Sequence, residues 1–279
     1  MASILALLSS VLWGTADFLG GNLAKRFAAI AVTGASQAFG LVLGLILVFS
    51  TGSYLAPTLS WNGYFLPAIG AGIAGFFGLV SFYSGLSTGR MGVVSPISTL
   101  SAVIPLSVAF ISGERPSPIQ ILGMAVAIIG AFCASGPDIV KGLPIKPLLF
   151  GLGAALGFGI ALALMAQGSK TSSLLTMTSM RVASVAFCIL LALRFRTVGG
   201  FKISDLRILF VIGATDFVAN LLLGVATTKG LISVAMVFGS LFPIVTALLA
   251  FKFLHERLHK VQYLGIVLAV AGVSLISIG

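Results

Sequence analysis

The sequence has few charged residues, and most of those are basic. Lys, Arg, Asp and Glu make up 8% of the 279 residues, whereas soluble domains carry roughly 25%. A chain with so few charges cannot cover a water-exposed surface, which excludes a soluble domain. The 16 Lys and Arg exceed the 6 Asp and Glu, but they lie singly or in pairs between apolar runs and form no stripe. We therefore expect no nucleic-acid partner.

Cysteine and histidine are also scarce. Cys133 and Cys188 both lie inside apolar runs, which is typical of small buried side chains and indicates neither a disulfide nor a metal site. His255 and His259 have the spacing of helical metal ligands, but no third ligand accompanies them, so we interpret them as part of a basic turn beside the membrane. The HExxH, GxSxG, P-loop and GxGxxG motifs are absent. We expect no metal, no cofactor and no catalytic residues, and hence no enzyme.

What the chain has instead is apolar sequence: 58% of its residues are hydrophobic, and the mean hydropathy is +1.18. A helix that spans a bilayer needs roughly 20 apolar residues. Ten such runs cover about residues 2–21, 29–49, 64–86, 91–112, 117–135, 147–167, 173–193, 207–227, 231–253 and 260–278. The sequence predicts an all-α integral membrane protein with ten transmembrane helices in a lipid bilayer. The first run lacks a basic n-region and a cleavage site, so we expect a retained helix.

The second half of the chain repeats the first. The segments 114–135 and 256–277 superpose with a shift of 142 residues, and both begin with Glu-Arg and continue into a Gly-bearing apolar helix. Further pairs match at shifts of 144 and 145, namely Gln37 with Arg181, Trp13 with Phe158, and Gly14 with Gly159. Five helices per copy is an odd number, so the second copy enters the membrane from the opposite side. We predict two inverted five-helix repeats, 1–138 and 147–279, joined by a linker at 139–146.

Charged side chains within the predicted spans are functional candidates, because a charge at a helix centre costs at least roughly 2.5–3.5 kcal/mol on insertion scales. Asp216 lies near the centre of the eighth span. It either binds a proton or substrate, or acts as the structural partner of Arg181. The same alternatives hold for Asp17, which lies nearer an interface and could cap a kink or pair locally. Arg181 binds an anionic substrate group or neutralises an inward-facing acid.

Several uncharged positions extend this candidate site. Asn220 lies one helical turn from Asp216 and can share its site. Trp13, Gln37 and Tyr83 either contact a substrate or form interhelical hydrogen bonds and interface anchors. Prolines inside a helix free backbone carbonyls, and such breaks either line a transporter's cavity or form packed kinks. The prolines in question are Pro96, Pro105 and Pro243.

The pattern also predicts how the helices are arranged. We expect helices 1, 3, 4, 6, 8 and 9 to surround a central polar cavity, and helices 5 and 10, whose small-residue faces suit close packing, to be peripheral. The doublets Glu114-Arg115 and Glu256-Arg257 stand at span ends, as interfacial anchors, helix caps or gate elements. Basic residues such as Lys25 concentrate in alternate connections, and the positive-inside rule then places both termini outside the cytoplasm.

Three stretches carry a resemblance to a known family. They are WGTADFLGG at 13–21, GRMGVVSPI at 89–97 and LFPIVTALLAFKFLHERLHKVQYLG at 241–265. With their order and their doubling, the whole chain resembles the drug/metabolite transporter superfamily, and its EamA-type branch most closely. The resemblance implies a secondary transporter of small polar or amphipathic solutes, often an exporter. It also implies both termini inside, opposite to the charge-based prediction.

From these observations we expect an exporter of amino acids, metabolites or drugs that works by alternating access, with proton coupling as one option. Two alternatives stay open: a sugar or nucleoside importer of the same superfamily, and a membrane protein without transport that handles lipids or assists assembly. The intramembrane charges favour transport, because a passive scaffold has no reason to bury them. We expect a monomer or homodimer in the bacterial cytoplasmic (inner) membrane, with a small-molecule substrate.

Overall fold

The computed structural model describes residues 1–88, 91–134, 145–195, 199–254 and 259–279, and within these ranges every regular element is helical. The helices are α1 (Ala2–Leu23), α2 (Ala29–Thr51), α3 (Phe65–Ser87), α4 (Met91–Ser98), α5 (Val103–Ile111), α6 (Pro118–Ala134), α7 (Ile145–Phe195), α8 (Ile203–Thr227), α9 (Ile232–Gly239), α10 (Phe242–Leu254) and α11 (Lys260–Ile278). A 3₁₀ turn, Thr99–Ala102, joins α4 to α5. His255, Glu256, Arg257 and most of the predicted linker lie outside the described residues.

Eight of the described segments are long and apolar enough to cross a membrane. One of them, Ile145–Arg194, has 50 residues, whereas the apolar helix α6 has only 17. In lipid a backbone must satisfy its own hydrogen bonds, and helices do so within one segment. The chain is therefore an all-helical integral membrane protein. Its largest fully buried side chains, among them Phe82, Phe217 and Phe238, come from α3, α7, α8 and α9.

The long helix α7 contains one break. Ser172 has extended backbone angles, with φ −162° and ψ 113°, and its Oγ accepts a hydrogen bond from the N–H of Leu175 at 3.3 Å. This is the geometry of an N-cap serine, so a new helix starts at the next residue. The two arms of α7, 145–171 and 173–195, correspond to the sixth and seventh predicted spans, which are joined here by a single extended residue.

The fourth and ninth predicted spans are each split in two. The first split lies at the 3₁₀ turn before α5, and the second lies between α9 and α10. A buried serine stands at each split, and the two are 142 positions apart in the sequence. The Oγ of Ser98 donates a hydrogen bond to the carbonyl of Ser95 at 2.7 Å. The Oγ of Ser240 donates to the carbonyl of Val237 at the same distance of 2.7 Å.

The sequence predicted that Pro96, Pro105 and Pro243 interrupt the fourth and ninth spans, and the structure places two of them at the starts of new helices. Pro105 and Pro243 lie in the first turns of α5 and α10, where a backbone N–H has no helical partner in any case. Pro96 alone lies inside a helix, near the end of α4. Pro105 and Pro243 therefore begin new helices beyond the splits, whereas Pro96 precedes the first split.

Helices α6 and α11 cross at glycine residues, where their backbones come close together. A Cβ on Gly123 would lie 2.8 Å from the carbonyl oxygen of Gly272, and a Cβ on Gly272 would lie 2.7 Å from that of Gly123. The repeat-equivalent pair, Gly130 and Gly265, shows the same reciprocal approach at 2.8 and 2.7 Å. The two helices thus pack together through the faces that carry their small residues.

Candidate functional site

A cavity lies among six helices and the 3₁₀ turn. Its lining residues come from α1, α2, α3, both arms of α7, α8, α10 and Thr99–Ala102, and of the described helices α6 and α11 contribute none. It offers about 70 Å³ to the centres of water molecules, and one water needs roughly 10–15 Å³ in this measure. The cavity therefore has room for several waters or a small solute. The second and seventh predicted spans, which we had not assigned to it, contribute Gln37 and Arg181.

Asp216 on α8 is the centre of a hydrogen-bond network within this cavity. Its Oδ2 accepts from Arg181 Nη2 at 2.8 Å and from Gln37 Nε2 at 3.0 Å. Its Oδ1 accepts from Trp13 Nε1 at 3.1 Å and from Asn220 Nδ2 at 3.2 Å. All five residues were candidates from the sequence, and the fold brings them together. The donors come from α1, α2, the second arm of α7 and α8 itself.

Asp17 lines the same cavity with a different environment. It lies one helical turn after Trp13 on α1 and is 6% exposed. Within the described ranges its carboxylate has no hydrogen bond or ion pair, so neither a kink cap nor a local ion pair accounts for it. Tyr83, another candidate, is buried against α1: a Cβ on Gly20, three residues beyond Asp17, would meet its ring. Tyr83 does not line the cavity.

Aromatic rings form part of the wall. Trp13, Phe158 and Phe242 all line the cavity, and Trp13 meets Phe242 edge-on with ring centroids 6.3 Å apart. Phe82 supports them from behind, at 5.8 Å from Phe158 and 6.4 Å from Phe242. Phe158 was not among the predicted site residues, although its match to Trp13 in the sequence repeat could have indicated it.

The three candidate prolines are not among the residues that line the cavity. The split helices contribute neighbouring residues instead, Ser101 from the 3₁₀ turn and Phe242 from the start of α10. Because Pro105 has no N–H, it cannot form the helical hydrogen bond to the carbonyl four residues back, which belongs to Ser101. A Cβ on Gly159 would lie 2.8 Å from that carbonyl oxygen.

Glu114 has one of the roles that its position at a span end had left open. Its Oε1 accepts from the N–H of Ile232 at 2.7 Å and its Oε2 from the N–H of Ser233 at 3.0 Å. Both donors stand at the start of α9, where backbone N–H groups lack helical partners. Glu114 therefore caps a helix in the second half of the chain. Its negative charge also interacts favourably with the positive end of the helix dipole.

Fold and cavity together define a class: a polytopic α-helical membrane protein whose buried polar side chains face an internal cavity. The model of the EamA-like transporter family matches residues 1–136 and 145–278. The chain belongs to this family, which is part of the drug/metabolite transporter superfamily. It is thus a membrane transporter of that superfamily, whose EamA branch is generally non-enzymatic.

Two further similarities concern a shorter protein and a solved structure. The uncharacterized protein MJ1333.1 of Methanocaldococcus jannaschii is 26% identical over 134 residues, which are 47% of this chain and 96% of that protein. A protein of known crystal structure superposes with a TM-score of 0.79 over 99% of this chain and 96% of its own. Its sequence identity is 15%, so this likeness shows the fold alone.

Proposed function

We propose that the protein is a secondary transporter that moves a small polar or amphipathic solute by alternating access through the central cavity. The observation that carries this proposal is the cavity itself, where a buried ion pair and a second buried carboxylate meet among helices of both halves. Ionisable groups at membrane depth are costly and usually serve transport. A lipid-handling or assembly factor has no use for buried charges that face a cavity within its own bundle.

Alternating access needs two units that rock against each other, and we propose that these are inverted five-helix repeats, 1–138 and 147–279, joined at 139–146. Ten spans result if α7 counts as two helices, α6 counts as one, and the split spans count once each. Three features support the repeat: the reciprocal glycine crossing of α6 and α11, the serine-marked splits 142 positions apart, and the convergence of Gln37 and Arg181 on Asp216. A relative about one repeat long also supports it.

The two carboxylates have different roles in this proposal. Asp216 accepts from four donors and is the fixed counter-charge of Arg181, while Trp13, Gln37 and Asn220 hold it in place. Asp17 has no such partner in the described part of the chain, so it is the carboxylate free to bind a proton or a substrate. Its charged neighbours across the cavity are Asp216 and Arg181. The discontinuous helices next to the cavity fit the architecture of secondary transporters.

Export from the bacterial cytoplasm is the direction we propose, and an untargeted metabolite comparison tests it. Cells lacking the protein, cells overproducing it, and cells overproducing Asp17→Asn would be compared for solutes inside and outside. An exporter lowers at least one internal solute and raises it in the medium only when Asp17 is present. Accumulation inside the overproducing cells would indicate an importer. Identical profiles in all three strains, with the protein present in the membrane, would contradict transport and favour the non-transporting alternative.

A further inference from the structure

We propose that the cavity binds an organic monocation, an amine with an aromatic or aliphatic body, and that its ammonium group pairs with Asp17. This inference rests on the proposed function and names the class of solute that the transporter carries. It follows from two independent properties of the cavity: the balance of the charges that face it and the chemistry of its walls.

Among the described residues, the carboxylate of Asp17 faces the cavity without an ion-pair partner. Arg181 and Asp216 lie 2.8 Å apart and neutralise each other. Asp17 is 6% exposed, and no donor among the residues that the structure describes reaches its oxygens. A carboxylate in such a site either takes up a proton or pairs with a counter-charge that also donates a hydrogen bond. An ammonium group supplies both in a single charge-assisted contact.

The walls suit the same ligand. Trp13, Phe158 and Phe242 line the cavity together with Asp17, and aromatic faces attract cations, Trp most strongly. Apolar side chains, among them Leu162 and Met165, cover much of the remaining wall. They match a hydrocarbon body, as in most small-molecule sites, where a few polar groups set the orientation. An amine with an apolar body therefore finds a partner for each of its parts.

An anionic solute meets an unfavourable arrangement. Arg181, the basic residue that lines the cavity, already pairs with Asp216. Its Nε is without a hydrogen-bond partner among the described residues, but Nε lies against α2, where a Cβ on Gly40 would be 3.2 Å away. A carboxylate ligand would also add a second unpaired negative charge beside Asp17, and like charges in a low dielectric repel strongly.

The chain offers a built-in probe for this site. It contains 2 tryptophans, of which Trp13 lines the cavity and Trp61 lies in the exposed loop between α2 and α3. In a Trp61→Phe background, the fluorescence of the purified protein reports on the cavity alone. Three ligands of similar size and different charge are titrated: 2-phenylethylammonium, 3-phenylpropan-1-ol and 3-phenylpropanoate.

We expect the cation to bind at least about tenfold more tightly than the alcohol or the anion, as a charge-assisted contact predicts. Asp17→Asn should remove this preference and leave the affinity for the alcohol unchanged. The matched control is Asp205→Asn, which removes a carboxylate at the start of α8, outside the cavity, where Asn can still accept from Lys202 N–H. It should bind the cation like the parent.

Tighter binding of the anion, equal cation binding by Asp17→Asn, or no cation binding up to on the order of 10 mM would each overturn the inference. Its failure is distinguishable from failure of the proposed function. If the cation binds through Asp17 but reconstituted protein does not carry it across vesicles, transport fails and the binding site stands. If the metabolite comparison identifies an anionic substrate, transport stands and the cation site fails.

Discussion

Gln37 and Arg181 donate hydrogen bonds to the same carboxylate oxygen, Oδ2 of Asp216, at 3.0 and 2.8 Å. The two donors are 144 positions apart and match each other in the sequence repeat. Two equivalent positions can reach one atom only where the halves of the chain meet. Asp216 has no acidic counterpart in the first half, because the position 144 residues before it, position 72, is a glycine. The site is therefore asymmetric with respect to the sequence repeat.

The first prediction concerns the buried ion pair. Asp216→Asn leaves Arg181, which is 3% exposed, without its counter-charge, and such a change costs about 3–5 kcal/mol. We expect poor accumulation of this variant in the membrane and early thermal unfolding in detergent. The double variant Asp216→Asn/Arg181→Gln should recover much of the loss, since no charge is then left unpaired. A single variant as stable as the parent would contradict the structural role of Asp216.

Much of this fold could be predicted from the sequence, because lipid leaves a chain few options. Apolar length placed the spans, and the repeat marked equivalent glycines in α6 and α11. The break at Ser172 was visible as a polar segment between two apolar runs. Breaks in the fourth and ninth spans were predicted from their prolines, and the structure places the splits at Ser98 and Ser240, before Pro105 and Pro243. The structure shows buried serine hydroxyls bonded to the preceding turn at both splits.

The sequence predicted some of the residues of the site but not the contacts between them. Polar residues in apolar runs identified Asp17 and Asp216, but which of them is paired depends on the distance between helices far apart in sequence. Trp13 and Gln37 come from α1 and α2 and reach Asp216 on α8, and no local pattern encodes that approach. The aromatic residues Phe158 and Phe242 look like ordinary membrane-facing side chains until their neighbours are known.

The second prediction uses the glycine crossing. Gly130 and Gly272 occupy equivalent positions, and a Cβ on either would collide with a backbone nitrogen of the facing helix, that of Ala269 or Ala127. Overpacking of this kind costs typically about 1–3 kcal/mol. We expect Gly130→Ala and Gly272→Ala to lower the free energy of unfolding by similar amounts in a detergent titration.

The control for this crossing is Gly75→Ala on α3, where the added Cβ would meet Ala161 at 3.5 Å, an ordinary contact distance. This variant should be neutral or slightly stabilising, because Ala favours a helix over Gly. If one glycine of the α6–α11 pair tolerated alanine as well as Gly75 does, the reciprocal crossing would be wrong.

The third prediction concerns Glu114, which caps α9 across the boundary between the halves. Glu114→Ala removes both acceptors and should cost about 0.5–2 kcal/mol, as loss of a helix cap does. Arg115→Ala is the matched control, because that side chain is exposed and, among the described residues, bonds only to the nearby carbonyls of Phe110 and Glu114. Hydrogen exchange in the first turn of α9 should rise in the first variant only. Equal exchange in both variants would exclude the cap as a stabilising contact.

The fourth prediction is the orientation in the membrane. Basic residues concentrate in the connections on the side of Lys25 and Lys202, and the positive-inside rule makes that side cytoplasmic. Both termini then lie outside the cytoplasm. A reporter that is active only outside the cytoplasm should be active when fused after Gly279, and a reporter active only in the cytoplasm should be silent there. The reverse pattern would support the orientation that the family resemblance implies.

The last prediction separates the two carboxylates. Asp17→Asn loses no hydrogen bond among the described residues, so it should accumulate like the parent and unfold at an equal or higher temperature, in contrast to Asp216→Asn. The amide is nearly isosteric but cannot take up a proton in place of the carboxylate. In vesicles loaded with the cation, a proton gradient should drive exchange by the parent protein and not by Asp17→Asn. Exchange of labelled for unlabelled cation, which needs no gradient, should be weakened through loss of binding. Proton-driven transport at the parent's rate by a well-folded Asp17→Asn variant would refute the coupling role of Asp17.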